Sequence, residues 1–307
     1  MDAEHSIKET IRYFDIFDFS LTDWEIYKNL WQPARSFAFK EIQAALARIV
    51  EKAEIGTREG FFFLKRRQDL VAARKKRYLL AQKKMKKARF CARLISWLPF
   101  VRAVFVCNDL AYFNAPLESD IDFAIITARE RIWTARFLSA GLMALLRQRP
   151  TPESRADKIC LSFYCSEEEL NLRPLAYADD IHFVYWLSQF VPLSGEKGIM
   201  EKFYFGNQWL REYLPNLVFP SAPRHWKITR RPVFKSVLEK LLSGLAGNFL
   251  EKLLKKIQLK ILPARLAALA REDGTDVVVS NSVLKLHDQD TRQAVRKKWE
   301  QKCSAGA

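Results

Sequence analysis

The sequence predicts an α+β protein, in which a small mixed β-sheet with helices follows a compact N-terminal module and precedes a mostly helical C-terminal region. Three observations predict this class. Residues 101–165 alternate short apolar runs with helical segments, as expected for a sheet covered by helices. Residues 6–64 contain helical patterns that a turn and a short aromatic run close. Beyond residue 176, apolar residues recur at helical spacing.

The composition bounds the class of partner. The chain has 307 residues, enough for two or three domains, and 51 Lys and Arg against 35 Asp and Glu give a net charge of +16. Such a field favours polyanions: nucleotides, nucleic acid or an acidic lipid surface. Five cysteines without a CxxC pair indicate a reduced protein with no zinc knuckle or disulfide frame. We expect a cytoplasmic protein, because the N-terminus is acidic and polar and no apolar run reaches the roughly 20 residues of a transmembrane helix.

Residues 1–65 are predicted to form the N-terminal module. Thr22 and Glu25 form a capping box that begins a helix, a second helix fits 39–55, and the run 61-FFFL-64 follows a glycine-bracketed turn as one strand of a hairpin. With the helical pattern that begins at residue 6, these make three helices and a hairpin in this length, which is typical of a winged helix. The helix over 39–55 mixes acidic with basic residues, so it lacks the basic face that DNA binding needs. An interaction module is therefore the favoured interpretation.

A basic connector helix is predicted over residues 66–95. The stretch 65–93 contains 13 basic residues and one acidic residue, Asp69. A solvated connector is the favoured interpretation. The alternative is a surface that follows phosphates, because an anion would relieve the repulsion among so many cations.

Residues 96–175 are predicted to form the core, with strands at 101–106, 121–127 and 158–165 and helices from 108 and over 130–148. Because side chains alternate along a strand, Asp120 and Asp122 point the same way, while Ile121 and Phe123 point into the core. Two carboxylates on one face form a site for Mg²⁺ or Mn²⁺, which would bridge the phosphates of a nucleotide. The turn at Cys107 and Asn108 begins a helix, whose backbone N–H groups can hold phosphate.

A strand, a helix start that holds phosphate and a second strand with paired Asp resemble the nucleotidyltransferase superfamily related to DNA polymerase beta. Eleven residues separate Asn108 from Asp120, which agrees with the superfamily's spacing. The resemblance implies that Asp120 and Asp122 are catalytic and bind metal, and that Cys107, Asn108 and Ser119 bind nucleotide phosphate. More widely, the chain resembles a group of uncharacterised bacterial nucleotidyltransferase-domain proteins with a winged-helix-like N-terminal part. The stretches that carry this wider resemblance are 11-IRYFDIFDFSLTDWEIYKNL-30, 61-FFFLKRRQDLVAARKKR-77, 118-ESDIDFAIIT-127, 159-ICLSFYCSEEEL-170, 207-NQWLREYLPN-216 and 284-LKLHDQD-290.

Two departures from the superfamily pattern leave the activity open. Cys107-Asn108 replaces the expected Gly-Ser pair, and strand 159–165 lacks a third carboxylate; Ser162 and Tyr164 are its polar residues on one face. The predicted function is Mg²⁺-dependent transfer of a nucleoside monophosphate from an NTP to a hydroxyl of an unknown acceptor, with nucleic acid among the candidates. The alternative is a catalytically degenerate relative that binds nucleic acid, a protein partner or a membrane surface.

Residues 176–307 are predicted to be mostly helical. An aromatic-rich helical part spans 177–214, and an amphipathic helix with Lys on its polar face spans 232–262. Packing of that helix against the aromatic-rich part is favoured over contact with an anionic membrane. The basic loop 224–231 is interpreted as solvated, with nucleotide stacking as the alternative, and 276–299 is predicted to form a short strand and a closing helix.

Overall fold

A computed structural model describes residues 1–151, 153–229, 232–272, 274, 276–287 and 290–304. Within them the chain is a mixed α+β protein with two sheets, which confirms the predicted class. The helices are α1 Ala3–Asp15, α2 Asp23–Lys28, α3 Phe39–Glu51, α4 Asp69–Ser96, α5 Asn108–Ala111, α6 Ile132–Leu145, α7 Ile181–Ser188, α8 Lys197–Gly206, α9 Val233–Leu241, α10 Gly244–Lys260, α11 Ala264–Leu269 and α12 Arg292–Ser304. The strands are β1 Leu21–Thr22, β2 Ile55–Arg58, β3 Phe61–Leu64, β4 Val101–Val106, β5 Ile121–Thr127, β6 Ile159–Ser166, β7 Val191–Gly195, β8 Val278–Val279 and β9 Val283–Lys285.

The N-terminal helices and hairpin form where the sequence predicts them. The backbone N–H of Thr22 donates to Glu25 Oε2 at 2.9 Å and that of Glu25 donates to Thr22 Oγ1 at 3.2 Å, so the capping box that begins α2 is complete. Strands β2 and β3 pair as the expected hairpin, with Gly60 at φ +79° in the turn. Strand β1 adds to β3, giving a small antiparallel sheet of order β1-β3-β2.

Helix α4 joins the module to the larger sheet, and two of its basic residues are buried rather than solvated. Arg74 donates to Glu25 at 2.7 Å and lies 3.7 Å above the ring of Phe19. Lys84 is 4% exposed and donates to the carbonyl of Ser119 at 2.7 Å. The helix therefore contacts the loop before Asp120, which a freely solvated connector would not do.

The larger sheet has the strand order β7-β4-β5-β6-β9-β8, in which β5 and β6 are parallel and the other pairs are antiparallel. The predicted strands β4, β5 and β6 form its centre. Ile121 and Phe123 point into the core on one face, as expected, whereas Ala124 and Ile126 belong to the core on the other. Strand β7 interrupts the stretch expected to be mostly helical, because its main chain completes the free edge of β4.

A β-bulge in β6 overturns the prediction that Ser162 and Tyr164 share a face. In the pairing with β5, Asp122 lies opposite Cys160 but Ala124 lies opposite Phe163, so β6 has one extra residue between these pairs. The extra residue turns Tyr164 to the other face of the sheet. Its hydroxyl there hydrogen-bonds the hydroxyl of Ser139 at 2.8 Å.

The predicted long helix over 232–262 is wrong in continuity and in orientation. It divides into α9 and α10 at Gly244, whose φ of +77° suits glycine and interrupts the helical backbone. Helix α10 packs against α6 rather than against the aromatic-rich helices, and most of its apolar side chains are exposed. In the part of the chain described, no helix combines the length and apolar character needed to cross a membrane.

The C-terminal part ends with β8 and β9, which extend the larger sheet beyond β6, and then with α12. The expected strand is thus a short hairpin, and the expected closing helix is present. In the basic loop, Trp226 stacks on Phe113 at a ring-centroid distance of 5.4 Å. Arg230 and Arg231 of that loop lie outside the described residues, as does Asp288.

Candidate functional site

A cavity of about 360 Å³ lies at the end of the larger sheet where β5 begins, between that sheet, helices α1 and α7 and the segment after β9. Its size falls in the range of small-molecule sites. All five residues predicted to form the site line it: Cys107, Asn108, Ser119, Asp120 and Asp122. The remaining lining residues are Tyr13, Phe14, Phe17, Asp109, Tyr112, Arg155, Ser162, Phe163, His182, Phe183, Trp186, Gln189, Lys285, His287, Asp290, Thr291 and Arg292.

The two predicted carboxylates lie together and are unequal. Asp122 is buried, and this burial, followed by the charge of Asp120, raises the pKa of Asp122 to about 6. Asp120 lies at the mouth of the cavity, where Arg155 donates to its Oδ2 at 3.3 Å. Neutral Asp122 is therefore favoured near pH 6 and below, and a cation close to it would favour the ionised form.

Cys107 and Asn108, in the turn after β4, both form hydrogen bonds with Asp122. The backbone N–H of Cys107 donates to the carbonyl oxygen of Asp122 at 3.1 Å, and the Cys107 thiol is buried, which raises its pKa. Asn108 has φ of +56°, a left-handed conformation that Asn adopts more readily than most residues. A hydrogen bond from the Asn108 side chain to the Asp122 carboxylate lowers the pKa of Asp122 and partly offsets the effect of burial.

Ser119 and the loop around it are fixed by Lys84. The Ser119 hydroxyl donates to the carbonyl of Pro116 at 3.0 Å, within its own turn. The Lys84 ammonium donates to the carbonyls of Leu117 and Ser119 and to Asp157, at 2.7–2.9 Å. The buried cation thus holds the backbone that leads into Asp120.

Neither of the two carboxylates nearest to strand β6 supplies the third carboxylate that the superfamily pattern places beside Asp120 and Asp122. Asp157 is paired with Lys84, and Glu167 lies at the other end of the strand, 3.5 Å from Arg102. Cys160 and His287 approach Asp122 instead: one potential ligand atom from each of the three residues lies within 4.8 Å of the other two. Sequence reasoning missed both residues, because it treated the cysteines only as candidates for short ligand motifs and found no ligand cluster among the histidines.

The part of the cavity lining that α1 and α7 contribute is aromatic and polar. The Tyr13 hydroxyl and His182 Nδ1 share a hydrogen bond of 2.8 Å, and Phe17 stacks on the imidazole at a centroid distance of 5.7 Å. Burial lowers the pKa of His182 to about 4, so this imidazole is neutral at physiological pH. Next to it, Arg292 binds the carboxylates of Asp180, Asp276 and Asp290 at 2.7–3.0 Å.

Comparisons of the chain with protein-family models, with curated proteins and with solved structures found no match. The resemblance to nucleotidyltransferases therefore stays a prediction, which the Asp pair and its spacing from Asn108 carry.

Proposed function

We propose that the protein is a divalent-metal-dependent nucleotidyltransferase that transfers a nucleoside monophosphate from an NTP to a hydroxyl group. One observation carries the proposal: Asp120 and Asp122 lie side by side in a cavity of ligand size, next to the turn at Asn108. Placing a second negative charge beside a buried carboxylate is unfavourable without a cation. Carboxyl groups whose pKa is raised by burial and by a like charge, in a cleft, are enriched at functional sites.

Asp120 and Asp122 are the residues that would hold Mg²⁺ or Mn²⁺. When bound, such a cation would neutralise phosphate charge and lower the pKa of the attacking hydroxyl. The side chain of Arg155, at the mouth of the cavity, is 64% exposed, so it can exchange Asp120 for a phosphate oxygen. The Asn108 amide, already directed at Asp122, would orient that carboxylate.

The aromatic wall supports a site for the base of the nucleotide. Phe17 and Phe183 line the same cavity as the Asp pair, and the neutral His182 and the Tyr13 hydroxyl can exchange hydrogen bonds with a heterocycle. Aromatic stacking on a base is tolerant of base identity. We therefore leave the base unassigned.

In the proposed reaction, the acceptor oxygen forms a bond to the α-phosphorus and the bond from that phosphorus to the bridging oxygen breaks. Pyrophosphate leaves, and the hydroxyl proton passes to water. The protein contributes position and charge rather than a covalent intermediate.

The test is to incubate the full chain with each labelled NTP and Mg²⁺ or Mn²⁺, with alcohols, sugars, proteins and RNA as acceptors, and to measure pyrophosphate release. We expect release by the natural protein and none by the double variant Asp120→Ala/Asp122→Ala. Glu153→Ala, which removes an exposed carboxylate outside the cavity, is the matched control. Release at the level of the double variant, with every acceptor, would contradict the proposal.

A second candidate, a degenerate nucleotidyltransferase that binds without catalysis, is supported by the turn at 107–108. Cys107 has a Cβ where the superfamily pattern has the glycine that allows close backbone approach to the triphosphate, and strand β6 contains no carboxylate. This candidate predicts that Mg–ATP raises the melting temperature without releasing pyrophosphate. It also predicts RNA or anionic-lipid binding that needs no Mg²⁺ and weakens steeply with salt.

We also propose that residues 1–65 form a winged-helix-like module for a protein partner. Arg48 near the end of α3 and Lys52 directly after it both pair with Glu4, at 2.7 and 3.0 Å, so these two cations are neutralised within the module. A helix that enters a DNA groove needs cations directed at phosphates. The test is binding of labelled duplex DNA by the full chain. Binding that is lost in Arg48→Ala/Lys52→Ala would show that the module binds DNA instead of a protein partner.

A further inference from the structure

The three residues Asp122, Cys160 and His287 come from neighbouring segments of the larger sheet. Asp122 and Cys160 lie opposite each other on the parallel strands β5 and β6, just before the bulge. His287 follows β9, which pairs with β6 through Phe163 and Lys285. The register of β5 and β6 therefore sets the separation of Asp122 and Cys160, and the segment after β9 brings His287 to them, so that the three ligand atoms lie within 4.8 Å of one another.

We propose that these three residues bind a zinc-class divalent cation, such as Zn²⁺, rather than Mg²⁺. A carboxylate oxygen, a thiolate and an imidazole nitrogen are the ligands that Zn²⁺ takes, whereas Mg²⁺ requires oxygen ligands in an octahedron. Three protein ligands with a fourth position facing a cavity are the arrangement of catalytic zinc sites. Asp120, next to Asp122, keeps the surroundings negative.

This inference assigns a zinc-class ion to Asp122, where the proposed function has Mg²⁺ or Mn²⁺. It holds whether or not the protein transfers nucleotides, because it concerns metal binding alone. Cys160 and His287 would take the place of the third carboxylate, and the ion would share Asp122 with the proposed nucleotide site. Ligation by Cys160 requires release of its thiol proton to solvent, so binding strengthens as pH rises.

The experiment uses the full chain after treatment with a chelator, titrated with Co²⁺, whose bond to thiolate absorbs in the near ultraviolet, and then with Zn²⁺ as competitor. We expect one Co²⁺ per chain, displaced by Zn²⁺ but not by excess Mg²⁺. Cys160→Ser should abolish the thiolate absorption, and His287→Ala should weaken binding roughly tenfold or more. Cys303→Ser, a partly exposed thiol on α12, should change nothing.

Thiolate absorption that persists in Cys160→Ser, or Co²⁺ displaced equally well by Mg²⁺, would overturn the site. Circular dichroism of each variant separates lost ligation from lost folding. Failure of nucleotide transfer leaves these readouts unaffected, so the two proposals fail separately.

A second, independent observation concerns α9 and α10, whose apolar residues face outward. On α10, Leu245, Phe249, Leu253 and Ile257 recur every four residues and form one stripe. These four and four residues of α9 are each at least 40% exposed: Val233 81%, Phe234 51%, Val237 50%, Leu241 67%, Leu245 90%, Phe249 70%, Leu253 42% and Ile257 40%. Large apolar side chains exposed in such number on two consecutive helices mark a contact with a partner or a membrane.

Polar contacts fix this orientation. On α9, the buried Lys235 donates to the carbonyl of Ser96 at 2.9 Å, and Glu239 accepts from Arg102 at 2.8 Å. On α10, Glu251 accepts from the backbone N–H of Trp133 at 2.8 Å, at the start of α6. Polar residues, together with the buried Leu254 of α10, thus attach the two helices to the protein, and the apolar stripe stays outside.

We propose that this face binds the surface of an anionic membrane. The exposed charges on the two helices are lysines, among them Lys240, Lys252, Lys256 and Lys260, while both of their carboxylates, Glu239 and Glu251, are directed inward. On α10, Lys252 and Lys256 share the sector of the apolar stripe, which suits long side chains that reach lipid head groups while the apolar groups enter the acyl region. A second copy would bring lysines against lysines, so the charge pattern disfavours self-association.

The test is cosedimentation of the full chain with vesicles of phosphatidylcholine alone or mixed with phosphatidylserine. We expect binding to the mixed vesicles that falls with added salt, and loss of binding in Leu245→Asp/Phe249→Asp. Lys252→Ala/Lys256→Ala should lower the partition coefficient roughly 30-fold. Leu145→Asp/Phe205→Asp, which changes two apolar residues each 80% exposed on α6 and α8 and adds the same two charges, is the matched control.

Sedimentation velocity without lipid supplies the opposing outcome. A dimer that Leu245→Asp/Phe249→Asp dissociates, together with no lipid binding by the natural protein, would overturn the membrane proposal in favour of a second copy. Equal vesicle binding by Leu245→Asp/Phe249→Asp and by the control variant would overturn the assignment of lipid binding to this face.

Discussion

Replacing Asp122 by Asn should stabilise the folded protein at neutral pH. Asp122 is 9% exposed, and its burial, together with the charge of Asp120, raises its pKa from the ordinary value of 3.8 to about 6. The folded chain therefore holds this proton more tightly than the unfolded chain does. Ionised Asp122 costs stability, and Asn, of nearly the same shape, carries no charge.

The sign and size of the expected change in the free energy of unfolding follow from the linkage between proton binding and folding. Because the pKa is raised on folding, the contribution of Asp122 to stability is greatest below about pH 4, falls as pH rises to about 6 and is constant above that. A pKa raised from 3.8 to about 6 corresponds to about 3 kcal/mol in the free energy of unfolding. The variant should thus gain up to about 3 kcal/mol at neutral pH and nothing near pH 4.

The assay is urea unfolding of both proteins at several pH values, in a chelator so that no bound cation offsets the charge. Asp69→Asn, which removes an exposed carboxylate from α4, controls for the loss of one negative charge from a chain of net charge +16. Adding Zn²⁺ or Mn²⁺ should reverse the order, because only the natural protein keeps the ligand. Asp122→Asn no more stable than the natural protein at neutral pH would refute the reasoning.

Three further substitutions test the framework of the site and of the exposed face. Lys84→Met should lower the free energy of unfolding by about 2–3 kcal/mol, because the buried ammonium satisfies Asp157 and two carbonyls. Glu251→Ala should cost about 1–2 kcal/mol and loosen α10, since its carboxylate caps the start of α6. Gly244→Ala should cost about 1 kcal/mol from the left-handed backbone alone, because an added Cβ meets no atom within 4 Å. Urea unfolding measures each, and hydrogen exchange of the α10 amides follows the second.

Each has a matched control in the chain. Lys83→Met removes an exposed neighbour of Lys84 on the same helix and should change little. Glu201→Ala removes an exposed helical carboxylate, and Gly198→Ala adds a methyl group to a helix where no atom lies within 4 Å and φ is not positive. If a control variant loses as much free energy of unfolding as the variant that it controls, the stated contact or backbone conformation is not the cause of the loss.

Much of the central fold could be predicted because it depends on local patterns. The capping box at Thr22, the hairpin over β2 and β3 and the strands β4, β5 and β6 all form near their predicted positions. The five predicted site residues meet at one cavity, since the strand pattern and the spacing from Asn108 to Asp120 are both short-range features. Their chemical role stays a prediction.

The other half of the site is contributed by residues distant in sequence. His182 and His287 reach the cavity from α7 and from the segment after β9, and neither has a local motif that marks it. Cys160 lies opposite Asp122 in the register of β5 and β6, and a single extra residue after that pair turns Tyr164 to the other face. Register and bulges depend on the pairing of whole strands, which a pattern along one strand does not specify.

The sequence predicted that residues 232–262 are amphipathic, but it did not predict which face of the helix is buried. Periodicity favoured packing of the apolar stripe, whereas Lys235, Glu239 and Glu251 form inward-directed hydrogen bonds that turn the stripe outward. The sequence by itself determined the strands, the capped helix and the spacing of the carboxylate pair, because these rest on interactions between near neighbours. Only the tertiary structure decided the partners of Asp122 and the orientation of α9 and α10, because both rest on hydrogen bonds and strand pairings between residues far apart in the chain.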